Sequence, residues 1–383
     1  MTSTLSPPRA GVEANARPYL HGPETDALTA VLLSGQYTHG PETEAFETEL
    51  AAFLGVPDVV CVATGTAALH LGLLAAGVGP GHEVIVPSLT FAASVQAIRA
   101  TGATPRFVDI DPATLCIRDD HIRAALTPAT KAVMPVLYGG RAVPLPGIRA
   151  ELDRRDVAVV EDAAHAFGSR QDGVRVGAAG ALTCFSFDPI KNITCGDGGA
   201  VIPRTPAEAD QLRTLRLLGI TATPSDRATV TTYIVEGPGF RTHLSALNAA
   251  VGRVQLAHFA EIAKRRIGLW HAYNDALAGV GGVTVVDVDI LNTVPFHFVV
   301  QIPDRDRVFH RLRAAGIGVG APYPPNHLQP AFTPWRTPLP ATEQAAARIL
   351  SLPFHPALTP GDVQHVTDLL DQALTDARPR ADG

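Results

Sequence analysis

A chain of 383 residues, 46% hydrophobic and 18% charged, is long enough for more than one domain and has the composition of a globular protein, not a disordered one. A formal net charge of −6, with no basic stripe interleaved with aromatics, argues against a nucleic-acid partner but leaves room for a local phosphate pocket. Four scattered cysteines without a C-x-x-C pair supply no zinc or disulfide framework, no metal site is expected, and no run of about 18 apolar residues offers a membrane span.

Residues 1–17 carry Ser, Pro and charge but no apolar centre of signal-peptide type, so they read as an extended segment of a cytoplasmic protein. Helical patterns run from Glu24 to Leu33 and from Glu42 to Phe53, with a turn at Ser34-Gly35. From Val59 the rhythm changes. Short runs rich in Val and Ile appear at Val59–Ala63, Glu83–Val86, Pro105–Val108, Ala132–Val136, Val157–Val160, Ala181–Phe187 and Gly199–Ile202. Segments such as Ala67–Ala76 and Ala92–Ala100 lie between them, with Ala and Leu at helical spacing. This alternation predicts an α/β protein whose mainly parallel sheet is covered by helices on both faces, a three-layer α/β/α arrangement. The last two runs have no helix between them, which allows them to run antiparallel to the rest.

A long helical pattern follows from Leu244 to about Leu277, with Leu244, Leu247, Val251 and Val254 on one stripe. Val283–Val286 and Phe296–Ile302 then read as strands, Arg305–Ala315 and Glu343–Leu350 as helices, and Ala321–Trp335 as a Pro-rich loop. The expected division is a large domain over 18–255 and a smaller C-terminal α+β domain over 256–378.

Ligands of α/β sheets bind at the carboxyl ends of the strands. Three features fall at such ends. Thr64-Gly65-Thr66 links a strand to a helix start, where free amides suit an anion; it reads equally as an ordinary N-cap turn. Glu161-Asp162 closes the strand Val157–Val160, as a metal ligand, a cofactor partner or an exposed strand end. Lys191 follows Ser186-Phe187-Asp188-Pro189-Ile190 and precedes the Gly-rich Gly196-Asp197-Gly198-Gly199, either as a surface lysine or as a desolvated amine able to form a Schiff base. Together they match the needs of pyridoxal 5′-phosphate: a lysine for the aldehyde, an acid for the pyridine nitrogen, a phosphate cradle and an apolar face over the ring. Lys191, Asp162, the Thr64–Thr66 turn with Ser186, and Phe91 supply one candidate for each.

In this order the residues resemble the DegT/StrS type of sugar aminotransferase, a pyridoxal-phosphate family with the aspartate aminotransferase-like fold (fold type I). The resemblance runs from about Pro18 to about Leu370. It is carried by Ala63-Thr64-Gly65-Thr66-Ala67-Ala68-Leu69, Pro87-Ser88-Leu89-Thr90-Phe91, Val160-Glu161-Asp162-Ala163-Ala164-His165-Ala166, Phe185-Ser186-Phe187-x-x-x-Lys191 and Gly196-Asp197-Gly198-Gly199. Weaker echoes are Gly35-x-x-Thr38-x-Gly40-Pro41, His327-Leu328-Gln329-Pro330 and Leu352-Pro353.

The resemblance implies that Lys191 holds the cofactor covalently and shuttles the proton, and that Asp162 pairs with the pyridine nitrogen. Gly65, Thr66 and Ser186 would hold the phosphate, Phe91 would stack on the ring, and His165 would lie near the phenolic oxygen. One departure stands out. Where the family carries Gly-x-Asn-(Tyr/Phe)-Arg, with the Asn reaching the neighbouring subunit's phosphate, this chain has Gly237-Pro238-Gly239-Phe240-Arg241. That contact is absent or supplied by Arg241 or His243. The resemblance further implies a homodimer with shared active sites. Its substrates would be a small amino donor, L-glutamate, and a carbonyl acceptor, a nucleotide-linked keto-sugar or an aminocyclitol precursor used in an antibiotic or surface glycan. The acceptor would approach between the Tyr37–Gly40 turn, the Tyr323–His327 loop and the partner subunit. Lys191 argues against the dehydratase branch, where histidine replaces it, and the Lys191–Asp162 pair argues against a non-catalytic regulator.

Overall fold

The computed structural model describes residues 11–221 and 231–375. Two helices come first, α1 (Glu24–Ser34) and α2 (Pro41–Leu54), the second opening on a proline whose fixed φ suits a first turn. Then strands and helices alternate: β1 (Val60–Val62), α3 (Gly65–Ala75), β2 (Glu83–Pro87), α4 (Ala92–Ala100), β3 (Thr104–Val108), α5 (Asp119–Ala125) and β4 (Thr130–Val133). After α6 (Arg149–Arg154) come β5 (Ala158–Asp162), a hairpin of β6 (Arg170–Gln171) and β7 (Val174–Arg175), then β8 (Leu182–Ser186) and β9 (Gly199–Ile202).

Seven of these strands form one sheet in the order β1-β9-β8-β5-β4-β2-β3. Its strands are buried almost throughout because alternate residues feed two cores: Val60, Val62, Val84 and Val86 face one, Cys61, Ile85 and Val133 the other. Only one of the last two strands is reversed. β8 runs parallel to β5, while β9 is antiparallel to both β8 and β1. The β5–β8 link includes the hairpin and is long enough to return the chain for a parallel strand. The β8–β9 link (187–198) holds no crossover helix and turns the chain straight back. Because β9 reverses both pairings, β1 runs parallel to β8. The carboxyl ends of β1, β2, β5 and β8 therefore share one edge of the sheet.

After α7 (Pro206–Arg216), the predicted long helix is two helices, α8 (Ala246–Ala257) and α9 (Phe259–Leu277), broken at His258. The break separates two packing tasks: α8 lies on α1 and α2, whereas α9 lies on the C-terminal helix described below. The fully buried face of α8 is small, with Ala246, Ala249, Ala250 and Gly252, while Leu247, Val251 and Val254 of the expected stripe are only half-buried. Small residues there let α1 approach closely, Val31 packing on Ala246 and Ala250.

The remaining elements are β10 (Thr284–Val285), β11 (Phe298–Gln301), α10 (Arg305–Ala314), α11 (Pro340–Ala346), β12 (Ile349–Leu352) and α12 (Pro360–Thr375). The expected helix over Glu343–Leu350 is helical only to Ala346, and Ile349–Leu352 is a strand antiparallel to β11. All four of its residues are buried, and pairing with Phe298–Gln301 satisfies their backbone. β10, β11 and β12 form a second sheet, whose core includes Phe298, Val300, Leu350, Leu352, Val366 and Leu370. The Pro-rich loop folds back over the end of β2. Asn326 Nδ2 donates to the Ser88 and Thr90 carbonyls at 3.1 and 2.7 Å, and the His327 N–H donates to Ser88 Oγ at 3.0 Å. Among the described residues no helix is long and apolar enough to cross a membrane.

Candidate active site

At the shared edge of the large sheet, a cavity of about 340 Å³ is lined by Lys191, Asp162, Gly65, Thr66, Phe91, His165, Ser186 and Tyr323, among others. Seven of these eight are residues that the sequence singles out for the cofactor. They arrive from four strand ends, which is why only the topology brings them together.

Lys191 sits in the 187–198 turn-back, whose start is fixed by the Lys191 N–H donating to the Asp188 carbonyl at 3.0 Å. Its Nζ lies 4.4 Å from the Phe296 ring centroid and makes no hydrogen bond among the described residues. Burial drives the amine from its usual 10.5 down to about 8; Asp162 and Asp188 oppose the shift and the Arg266 guanidinium adds to it. About a tenth of the amine is therefore neutral at pH 7, against far less for an ordinary lysine, and the neutral amine is the form that attacks a carbonyl.

Asp162 ends β5. Its Oδ2 accepts from Ser94 Oγ at 2.6 Å and its Oδ1 from the Ala164 N–H at 3.2 Å. Burial pushes the carboxyl above the usual range, against the pull of the Ser94 and Ala164 bonds and the Lys191 charge. Glu161, on the opposite face of the strand, accepts instead from Thr183 Oγ1 at 2.7 Å and is held among the core residues.

At the head of α3 the Thr64 hydroxyl accepts from the Ala67 N–H at 2.9 Å, the N-cap bond of an ordinary helix start. The cap and an anion site coexist, because the first amides of any helix lack intrahelical partners. Gly65 is required by the close approach of β8: a Cβ there would lie 2.6 Å from Ser186 Cβ and 2.8 Å from its Oγ. Without a side chain at 65, the Ser186 hydroxyl stands directly against the helix start.

His165 is buried and stacks on Phe296, ring centroids 4.1 Å apart, with Nε2 3.1 Å from the Tyr323 hydroxyl. Burial, then the Lys191 and His297 charges, hold it well below its usual pKa, so it is a neutral imidazole. Phe91 is 59% exposed at the mouth, its ring centroid 5.7 Å from that of Tyr323. Two expectations lie elsewhere in the single chain. Arg241 is exposed and bridges to Leu217 outside this lining, and the Tyr37–Gly40 turn belongs to other surfaces, His39 bonding Arg216. Ser94, Tyr323 and Phe296 are the site residues that sequence motifs did not single out. A larger groove of about 920 Å³ between α2 and α7 is lined by Glu44, Asp58, Asp210 and Arg213 and holds no comparable amine–carboxylate pair aimed at a strand end.

The DegT/DnrJ/EryC1/StrS aminotransferase family matches residues 18–371 of the chain. The protein belongs to this family. Solved structures agree with the assignment. The sugar aminotransferase CalS13 from Micromonospora echinospora is 33% identical, with a TM-score of 0.87 over 94% of this chain and 99% of that one. DesV from S. venezuelae, solved with a ketimine intermediate, is 36% identical, with a TM-score of 0.86 over 93% and 98%. A putative sugar aminotransferase from Streptococcus pneumoniae, in a PLP form, is 26% identical, with a TM-score of 0.88 over 95% and 99%. The α/β fold of this DegT/DnrJ/EryC1/StrS member is thus fold type I, and the chain is an aminotransferase of that family.

Proposed function

We propose that the protein uses pyridoxal 5′-phosphate to move an amino group from L-glutamate to the keto carbon of a nucleotide-linked sugar. The observation that carries this reading is a buried amine of lowered pKa facing a buried carboxylate across a cavity whose wall is a helix N-terminus. The donor set fits the cofactor: an amine for its aldehyde, an acid for its ring nitrogen, and amides with a serine hydroxyl for its phosphate. When bound, pyridoxal phosphate supplies an aldehyde that condenses with amines and a ring that withdraws electrons from the substrate α-carbon.

Each residue then has a task. Lys191 would hold the cofactor through Nζ and could carry a proton at that atom, which its lowered pKa permits near neutrality. Asp162 holds a proton on the ring side as its carboxylate partner. Gly65, Thr66 and Ser186 would hold the phosphate, Phe91 would cover the ring, and neutral His165, held by Tyr323, would donate or accept at the phenolic oxygen. The reading includes the division at 255/256, within the last turn of α8 and close to the break at His258, and a homodimer. Exposed Leu32, Leu33, Tyr233, Ile234 and Val235 suit a surface covered by a second copy, and Arg241 or His243 would reach the neighbour's phosphate in place of the missing Asn.

A second reading concerns the acceptor. Among the described residues no Arg and no second Lys lines the cavity, so a diphosphate would need its cation from Arg241 or from a partner. An acceptor without a nucleotide, such as an aminocyclitol precursor, needs none.

The spectrum decides the reaction. Purified protein loaded with the cofactor absorbs in the visible, and L-glutamate bleaches that band. A band that survives every common amino donor for many minutes would sink the aminotransferase reading. Lys191→Ala abolishes the covalent link trapped by borohydride, while Asp162→Asn binds the cofactor but loses most of the activity. A reducible link persisting in Lys191→Ala would mean that another lysine does this work.

A further inference from the structure

Asp162 has one side-chain partner that the cofactor reading does not use. Ser94 Oγ lies 2.6 Å from Asp162 Oδ2 and 2.7 Å from Thr90 Oγ1. All three residues are buried. Thr90 and Ser94 flank the Phe91 cap of α4 one turn apart, and Asn326 Nδ2 fixes the Thr90 carbonyl at 2.7 Å.

The bonding direction follows from counting protons. An ionised carboxylate only accepts, so the single Ser94 proton goes to Oδ2 at 2.6 Å in preference to the neutral Phe91 carbonyl at 3.3 Å. The Ser94 oxygen must then accept, and Thr90 is the donor. The chain Thr90 Oγ1–H→Ser94 Oγ–H→Asp162 Oδ2 thus has one direction when Asp162 is charged, and each bond polarises the next. A protonated Asp162 would compete for the Ser94 oxygen. We propose that the Thr90–Ser94 hydroxyl pair is a positioning device that keeps Asp162 ionised and leaves Oδ1, which accepts only the Ala164 N–H at 3.2 Å among the described residues, with acceptor capacity to face a ring N–H. This rests on the pyridoxal-phosphate reading above.

The other groups around Asp162 cannot take over. Lys191 from the 187–198 turn-back, Tyr323 from the Pro-rich loop, Cys184 on β8, Glu161 on β5 and His165 just beyond β5 are its titratable neighbours. None gives it a side-chain hydrogen bond among the described residues; Ser94 alone does. Removing that bond leaves burial less opposed, so the carboxyl protonates at higher pH.

The test measures equilibrium binding of pyridoxamine 5′-phosphate, which forms no covalent bond with Lys191, to cofactor-free protein between pH 5 and 9. The expected result for Ser94→Ala is about tenfold weaker binding near pH 6, with the acid limb of the profile moved up by about one pH unit. Ser94→Thr keeps the hydroxyl and restores both. Thr90→Val, which leaves the Ser94 proton in place, moves the limb the same way by less. The device is overturned if the Ser94→Ala profile superimposes on the wild type. It is equally overturned if binding weakens uniformly with no shift of the limb, or if Ser94→Thr does no better than Ser94→Ala. Failure of the wild type itself to bind would overturn the cofactor reading, and this inference with it.

Discussion

Arg216 at the end of α7 and Lys191 beyond β8 are both cations withdrawn from water, and their surroundings differ in what meets the charge. Arg216 Nη1 donates to the Glu47 carboxylate and to the Cys61 carbonyl, the latter at 2.7 Å, and Nη2 lies 3.0 Å from His39 Nε2. Glu47 also accepts from the Cys61 N–H at 2.7 Å. Burial and then the Arg216 charge hold His39 at about 4, so it is neutral and accepts from the guanidinium. Every strong group in that cluster has a partner, and together they tie α2, β1 and α7. Lys191 has an aromatic face and, among the described residues, no hydrogen bond from its Nζ. A satisfied buried charge fixes a fold, while an unsatisfied one keeps a reactive group uncharged or poised to react.

The comparison predicts opposite signs for removing the two charges. The larger effect belongs to Arg216→Met, which strands Glu47 in the core. It should cost about 3–5 kcal/mol in denaturant unfolding. Adding Glu47→Met should recover most of that loss, since an apolar pair can replace a buried ion pair. A double variant as unstable as the single one would mean that the cluster does not act through its charge.

Lys191→Met in cofactor-free protein should instead be stabilising. The folded amine titrates at about 8 against an ordinary 10.5. The unfolded chain therefore binds more protons between those values, and wild-type stability rises with pH across that window. Below pH 8 the full cost is present, on the order of 3 kcal/mol at 1.36 kcal/mol per pH unit. Lys191→Met escapes it, so its advantage should be greatest below pH 8 and fade by pH 10.5. A destabilised or pH-independent variant would show that the amine carries no such cost.

These two regions were not equally legible in the sequence. Lys191, Asp162 and Thr64–Thr66 each end or follow an apolar run, so the rule that α/β ligands bind at strand ends selects them. Ser94 lies inside the helical run Ala92–Ala100 with nothing in its neighbours to mark it; only the tertiary fold, which sets the first turn of α4 against the end of β5, delivers it to Asp162. Tyr323 and Phe296 come from distant segments, and no local pattern predicts that one meets His165 and the other Lys191. The break at His258 was hidden because both halves are helical in pattern, and their separate packing partners are tertiary facts. The expected helix Glu343–Leu350 takes in the first two residues of the strand Ile349–Leu352 for a similar reason. Its strand character depends on β11, and β propensity is largely a statement about such partners.

The smallest effect tests the backbone side of the Arg216 clamp. Just beyond Arg216 the chain crosses the Gly237–Thr242 segment: the Phe240 N–H donates to Leu215 O at 2.6 Å, Leu218 N–H to Phe240 O at 3.1 Å and Thr242 N–H to Arg216 O at 3.1 Å. A Cβ on Gly239 would collide with the Gly219 amide nitrogen and the Leu218 carbonyl carbon, which are backbone atoms unable to rotate away. The glycine that replaces the family's Asn is thus required by this crossing. Gly239→Ala should destabilise by about 1–2 kcal/mol, toward the low end for overpacking because Arg241 and Leu218 beside it are exposed and the segment can shift outward. Gly239→Asn meets the same collision, so restoring the family residue should lower the melting temperature and leave cofactor affinity unimproved. A Gly239→Asn variant that melts like the wild type and binds pyridoxal phosphate more tightly would show that the crossing yields easily. The clamp around Arg216 would then rest on its charges alone.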